Sequence, residues 1–173
     1  MTWLVPAAGP GRDQLLGTIG RLAAEHDAPR FQPHITLAPT FDSAADAAAR
    51  ALTSRVAGMP PVDVVFNGIG YEQSYFRALY LLAGVSAPLT ALQQAVQRAL
   101  APGSWPFLPH LSLLYSDIPE AAKHAIIDSI GIPLPLTIQC DGIELWARDR
   151  PEVRGWYRVT RVVLAGRSQH QAR

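Results

Sequence analysis

Phe31-Gln32-Pro33-His34-Ile35-Thr36-Leu37 and Phe107-Leu108-Pro109-His110-Leu111-Ser112-Leu113 are two copies of one pattern, set 76 residues apart. Each alternates side chains over a short stretch that follows a proline, which reads as a strand. In a strand, residues i and i+2 share a face. His34 and Thr36 therefore point one way, and so do His110 and Ser112. Ile35, Leu37, Leu111 and Leu113 point the other way, into a core. A lone histidine beside a strand is ordinarily structural. A second chance copy of this motif in a chain of this length is expected on the order of once in ten thousand sequences of average composition.

Outward from the motifs, the 76-residue shift keeps matching. A strand at residues 2–6 falls on a strand at Leu79, which places Trp3 over Leu79. The helix around Leu16, with Leu15, Ile19, Leu22 and Ala23 at helical spacing, falls on the helix around Leu92. A helix capped by Asp42 or Ser43 falls on one opened by Pro119 and ended by Gly131. Ser86 and Pro88 open the helix around Leu92, and Pro102-Gly103 close it. Strands are expected at 33–39, 62–71, 75–85, 108–115, 134–147 and 156–164, with a polar tail after Gly166. The order strand–helix–strand–helix–strand thus occurs twice, with one strand added. A duplication of this kind predicts two lobes about a pseudo-twofold axis. Alternation of helix and strand alone would permit a parallel doubly wound sheet. The 62–85 hairpin argues instead for antiparallel or mixed sheets in an α+β fold. The expectation is one domain, residues 1–173, of two intertwined lobes that each contribute one histidine strand.

The remaining composition narrows the function classes. At 49% hydrophobic and 17% charged the chain can bury a core, and its net charge of +1 gives no broad basic face for duplex DNA. One cysteine, Cys140, can form neither an internal disulfide nor a cysteine zinc cluster. No stretch reads as a signal peptide or a membrane span. A cytoplasmic monomer is the expectation.

Two imidazoles and two hydroxyls facing one cleft have a definite use. An imidazole titrates near neutrality, so one can accept a proton while the other donates. One activates water on one side of a phosphorus, and the other protonates the oxygen leaving on the opposite side. Hydroxyls can donate to the non-bridging oxygens as charge builds there. No H-E-x-x-H, H-x-H or C-x-x-C supports a metal site, and no cofactor is expected. No P-loop or G-x-S-x-G is present. His26, His124 and His170 read as surface residues on a helix end, a helix and the tail.

At these residues the chain resembles the 2H phosphoesterase superfamily, named for paired H-x-[ST]-x motifs, and most closely its cyclic phosphodiesterase branch. The matching pieces are T-W-L-V-P, P-R-F-Q-P-H-I-T-L, Y-F-R-A-L-Y-L-L and P-H-L-S-L-L-Y-S-D, with I-E-L-W-A-R-D and W-Y-R-V near the end. The resemblance implies a bilobal fold whose antiparallel sheets line a central cleft, with helices outside. It implies opening of ADP-ribose 1″,2″-cyclic phosphate to ADP-ribose 1″-phosphate, and of nucleoside 2′,3′-cyclic phosphates to 2′-phosphates. By position, His34, Thr36, His110 and Ser112 match the catalytic tetrad, with His110 as base and His34 as acid. Trp3, Phe76 and Tyr115 match aromatic positions at the family's cleft, although Trp3 and Phe76 also suit a lobe core. Tyr115 lies five residues after His110, so strict alternation puts it on the wrong face unless the strand ends or bulges near Leu114. Trp105, Trp146 and Trp156 read as packing residues, and Arg148, Arg150 and Arg154 as a solvated loop. The expected partner is a small nucleotide cyclic phosphate. An RNA end, cyclic or 2′,5′-linked, is the alternative substrate, and a silent nucleotide-binding module is the alternative of another class.

Overall fold

The computed structural model describes residues 1–41, 43–100, 106–150 and 152–166. Along the chain run β1 (Thr2–Pro6), α1 (Pro10–Glu25), β2 (Ile35–Ala38), α2 (Ala45–Val56), β3 (Val62–Gly70), β4 (Leu79–Ala83), α3 (Ala87–Leu100), β5 (His110–Leu114), α4 (Glu120–Ser129), β6 (Leu136–Arg148) and β7 (Trp156–Val163). Short 3-10 turns occupy Tyr75–Arg77 and Val153–Gly155. The strands form one sheet in the order β1-β2-β5-β4-β3-β6-β7, and β1 also pairs with β6, so six strands close on themselves. Every pairing is antiparallel. Of the antiparallel and mixed arrangements that the sequence left open, the first is the one found. No described helix is long and apolar enough to cross a membrane.

The duplication becomes a symmetry axis. Ile35 pairs with Leu111, and Asp63 pairs with Gln139. Both pairs join equivalent residues of the two copies, 76 positions apart, and the Gln139 amide donates to Asp63 at 3.3 Å. An antiparallel pair of equivalent residues is what a twofold axis between strands produces. The axis therefore passes through the β2–β5 seam and the β3–β6 seam. The copies also exchange helices: α1 packs on β5, and α3 packs on β2.

Residue spacing explains the helices. Leu15, Ile19, Leu22 and Ala23 form the buried stripe of α1, and each large side chain among them contributes about 1.5–3 kcal/mol on burial. Pro10 opens that helix, where a missing N–H costs nothing. Ser86 caps α3, its hydroxyl accepting from the Leu89 amide at 3.4 Å. α2 differs from expectation, since Ala44 is its cap and makes no side-chain bond. Asp42, the alternative cap, and Pro102-Gly103 lie outside the described residues. Gly131, with φ of 68°, turns the chain out of α4.

Two expectations need correction. The segment 75–85 is not a continuous strand, because its first residues coil into the Tyr75–Arg77 turn. Neighbours hold that turn in place: Ser112 Oγ donates to the Phe76 carbonyl at 3.0 Å, and the Ser116 amide donates to the Tyr75 carbonyl at 3.0 Å. The equivalence of Trp3 with Leu79 is off by one. Trp3 pairs with Thr36 while Tyr80 pairs with Ser112, and a register shift precedes each aromatic residue. Trp3 and Tyr80 are the true counterparts. Cys140 is buried where β6 meets both β1 and β3, and burial pushes its thiol up to about 12.

Candidate active site

Each histidine follows a proline, and that local sequence fixes the ring. A residue before proline is driven to extended backbone, which turns its carbonyl towards the side chain two residues on. His34 Nδ1 lies 2.6 Å from the Gln32 carbonyl, and His110 Nδ1 lies 2.8 Å from the Leu108 carbonyl. A carbonyl only accepts, so Nδ1 carries the proton in both rings. Nε2 is then the working nitrogen, an acceptor when the ring is neutral and a donor when it is charged. Both histidines line one cavity of about 350 Å³, together with Thr36, Ser112, Trp3, Phe76 and Tyr115. All seven residues singled out from the sequence thus meet in one place.

Their surroundings differ. His34 is buried and stacks on the Trp3 indole, with centroids 3.7 Å apart and planes 14° from parallel. The Tyr115 hydroxyl sits 3.4 Å from His34 Nε2. Tyr115 reaches the cleft because β5 ends at Leu114, the condition that the sequence set. Its ring is buried and stacks on Phe31 at 3.8 Å. Burial pushes its phenol upward, so the hydroxyl keeps its proton. His110 is half-buried, with the Tyr80 ring edge-on at 5.3 Å. Arg77 binds Glu72 at 2.7 Å beside it, and the Tyr80 hydroxyl donates to Glu72 at 3.4 Å.

These environments move both imidazoles the same way. Burial lowers His34 to about 4, opposed by the Gln32 carbonyl and aided by His110. Burial also lowers His110; the Leu108 carbonyl and Glu72 oppose that, and Arg77 adds to it. Both rings are therefore biased to the neutral form.

The hydroxyls are not equivalent. The Ser112 hydroxyl already donates to the Phe76 carbonyl. It must rotate before it can donate to a ligand. Thr36 lines the cavity, and its hydroxyl makes no hydrogen bond among the described residues.

Several cleft residues escaped the sequence. Trp156, read as packing, lines the cavity and lies 5.8 Å from Phe76. Its indole N–H is buried without a partner among the described residues, as is that of Trp3. Arg148, read as loop, ends β6 and lines the same cavity, and Arg77 joins it there. Strand endings and bulges decide these placements, and composition does not show them. Trp146 packs against Trp3 at 4.5 Å, as expected. His124 is exposed on α4 and lies 3.1 Å from the Tyr71 hydroxyl, while His26 ends α1. Trp105 and His170 lie outside the described residues. Among the described residues, no three His, Cys, Asp or Glu side chains come together to hold a metal ion.

Comparison with known proteins bears on the family and the fold. The family described as the 2′-5′ RNA ligase superfamily matches residues 12–152. A cyclic phosphodiesterase of Arabidopsis thaliana is 27% identical over 103 residues, 59% of this chain and 57% of that protein. The match thus spans little more than half of that relative's length. Among solved structures, E. coli LigT complexed with 3′-AMP superposes with a TM-score of 0.60 at 22% identity, covering 95% of this chain and 97% of that one. The TT0787 protein of Thermus thermophilus gives 0.58 at 18% identity, covering 97% of this chain and all of that one.

Proposed function

The chain belongs to the 2′-5′ RNA ligase superfamily, and on that premise we propose that it is a cyclic phosphodiesterase working through His34 and His110. Its substrates in this reading are nucleoside 2′,3′-cyclic phosphates, opened to 2′-phosphates, and ADP-ribose 1″,2″-cyclic phosphate, opened to the 1″-phosphate. It acts as a cytoplasmic monomer and needs no metal. The observation that carries the reading is the matched pair of Nδ1–carbonyl contacts, which leaves Nε2 as the working nitrogen of both rings in one cleft, that of His34 beside the Tyr115 hydroxyl.

His110 takes a proton from water, whose oxygen attacks phosphorus. His34 gives a proton to the ribose oxygen that leaves. Charge accumulating on the non-bridging oxygens is met by the Thr36 hydroxyl, and by Ser112 once it rotates from the Phe76 carbonyl. The low pKa of free His34 conflicts with the role of acid only until substrate arrives. A bound phosphate anion favours imidazolium, and the Trp3 face stacked at 3.7 Å stabilises a cation. Support for nucleotide substrates comes from the LigT structures, which hold 3′-AMP, ATP and NADP+.

The test is turnover of both cyclic phosphates by pure protein, followed by phosphorus NMR. A 2′-phosphate product is expected, and EDTA should leave the rate unchanged. His34→Ala and His110→Ala should each lower kcat by about 10²–10⁴, with little further loss in the double variant. A substrate whose leaving oxygen is replaced by sulfur needs no acid, so it should restore His34→Ala and not His110→Ala. Full activity in either single variant sinks the mechanism.

A further inference from the structure

On the same face of the sheet as the histidines lies a second pocket of about 480 Å³, bordered by Arg12, Gln32, Glu144, Trp146, Arg158 and Arg161. Register shows the shared face. Trp3 pairs with Thr36 on β2 and with Glu144 on β6, and Glu144 pairs in turn with Arg161 on β7. Residues directly opposite one another in a sheet point the same way.

Three features show that the arginines are placed there by the fold. Arg158 and Arg161 are three residues apart, so regular alternation would send them to opposite faces. Register slips between Leu145 and Trp146, which pair with Thr160 and Arg158. That extra residue on β7 brings both guanidinium groups to one side, as bulges do. Gly142 then makes room: a Cβ there would stand 2.9 Å from Arg161 Nε. Finally, Glu144 is only 5% exposed and anchors the floor. It accepts from Trp146 Nε1 at 2.9 Å and from Arg158 at 2.8 Å, with Arg161 at 4.0 Å.

The charges do not cancel. Glu144 and Asp141, the latter 3.0 Å from Arg161, answer two cations. Among the described residues, Arg12 is bound only by the neutral Gln32 amide, at 3.2 Å. Each guanidinium carries five donors, and most of those here remain for solvent or a ligand. Planar donor forks match phosphate oxygens. The pocket also adjoins the catalytic strand, because Gln32 borders it and its carbonyl holds His34. Four contacts, His34–Trp3, Trp3–Trp146, Trp146–Glu144 and Glu144–Arg158, lead from cleft to pocket.

We infer that Arg12, Arg158 and Arg161 form a second anion subsite, which takes a further phosphate of the ligand whose cyclic phosphate sits at the histidines. This rests on the function proposed above and narrows it, since the favoured substrate then carries a second phosphate centre besides its cyclic phosphate. The second one belongs to either a phosphodiester or a pyrophosphate bridge, and substrate choice separates these.

The test uses Arg12→Ala/Arg161→Ala, which leaves the Arg158–Glu144 pair intact. Three substrates are compared: a nucleoside 2′,3′-cyclic phosphate, a dinucleotide ending in a 2′,3′-cyclic phosphate, and ADP-ribose 1″,2″-cyclic phosphate. The variant should keep the wild-type kcat/KM on the first and lose about tenfold or more on at least one of the others. Loss on the dinucleotide alone assigns the pocket to a phosphodiester, and loss on the ADP-ribose compound alone to a pyrophosphate. Salt should weaken the reactions of the dinucleotide and the ADP-ribose compound more steeply in wild type than in the variant. Equal loss on all three, or none on any, overturns the subsite. If no cyclic phosphate turns over, the functional reading fails separately. Tryptophan fluorescence with a 5′-phosphorylated dinucleotide 3′-phosphate then reads the pocket directly, and equal Kd in wild type and variant overturns it.

Discussion

His34 is where the demands of folding and of chemistry collide. Burial holds it at about 4, against about 6.5 in an unfolded chain. Between those values the unfolded state binds the extra proton, so acid favours unfolding. Stability should be full above about pH 6.5 and fall as pH drops towards 4, by on the order of 3 kcal/mol. His34→Gln should flatten that part of the Tm–pH curve, and an unchanged slope would place the titrating group elsewhere. The same bias shapes catalysis. Because both histidines are lowered in the free protein, kcat/KM should trace a bell centred on the acid side of neutrality. The kcat bell should sit at higher pH, since bound phosphate favours imidazolium. A monotonic profile counts against the pair. Thr36→Ala should cost more than Ser112→Ala, up to about 3–4 kcal/mol, because the Ser112 donor is engaged in the free protein. These four polar residues were legible in sequence because duplication exposed them. Arg77 and Trp156 were not, since nothing in their own spacing says which wall they join.

At the scale of elements, the cleft depends on one loop whose residues 75–77 the sequence read as strand. Residues Ser74, Phe76 and Arg77 reach the cavity from the turn before β4. α4 supports that turn from behind. Lys123 is 1% exposed, and its ammonium donates to the Glu72 carbonyl at 2.7 Å and to Gln73 Oε1 at 3.4 Å. A lysine reads in sequence as a solvated helix residue, and only the packing of α4 reveals it as a strut. Lys123→Met keeps the apolar stem and leaves the Glu72 carbonyl without its donor, a loss of about 1–3 kcal/mol. KM should rise several-fold while kcat changes little, since Phe76 and Arg77 loosen and the histidines do not. Equal falls in kcat and kcat/KM would tie the loop to the chemical step instead. Tyr115 teaches a related lesson. Alternation said it should miss the cleft, and it arrives because β5 stops one residue earlier. Periodicity locates strands well and their last residue poorly.

At the scale of the whole molecule, duplication has been turned into interdependence. Each copy supplies one histidine strand, and the two meet through the Ile35–Leu111 pair at the axis. Each copy covers the histidine strand of the other, because α1 lies on β5 and α3 on β2. The shift of 76 residues made the repeat visible in sequence, while the pairing of equivalent residues across both seams shows only in the fold. It could not show the exchange of helices, because two self-contained lobes and two interleaved ones have the same element order. Interleaving leads to a sharp expectation. A chain of residues 1–71 would expose the apolar face of β2, where Ile35 and Leu37 are now buried, and the α1 stripe that β5 covers. A chain of residues 72–173 would lack β1, the neighbour that pairs along Thr2–Pro6 with β6. Stability of a domain this size is a small difference between large terms, so losing either interface should abolish cooperative folding. Expressed separately, each piece should melt without a transition by far-UV circular dichroism. Mixed in equal amounts, they should regain both the transition and cyclic phosphate turnover, because the seams are built from strand pairs that can re-form between chains. A cooperative melt from either piece alone would mean that the lobes are independent domains, and that the histidines meet across a docking surface rather than within one fold.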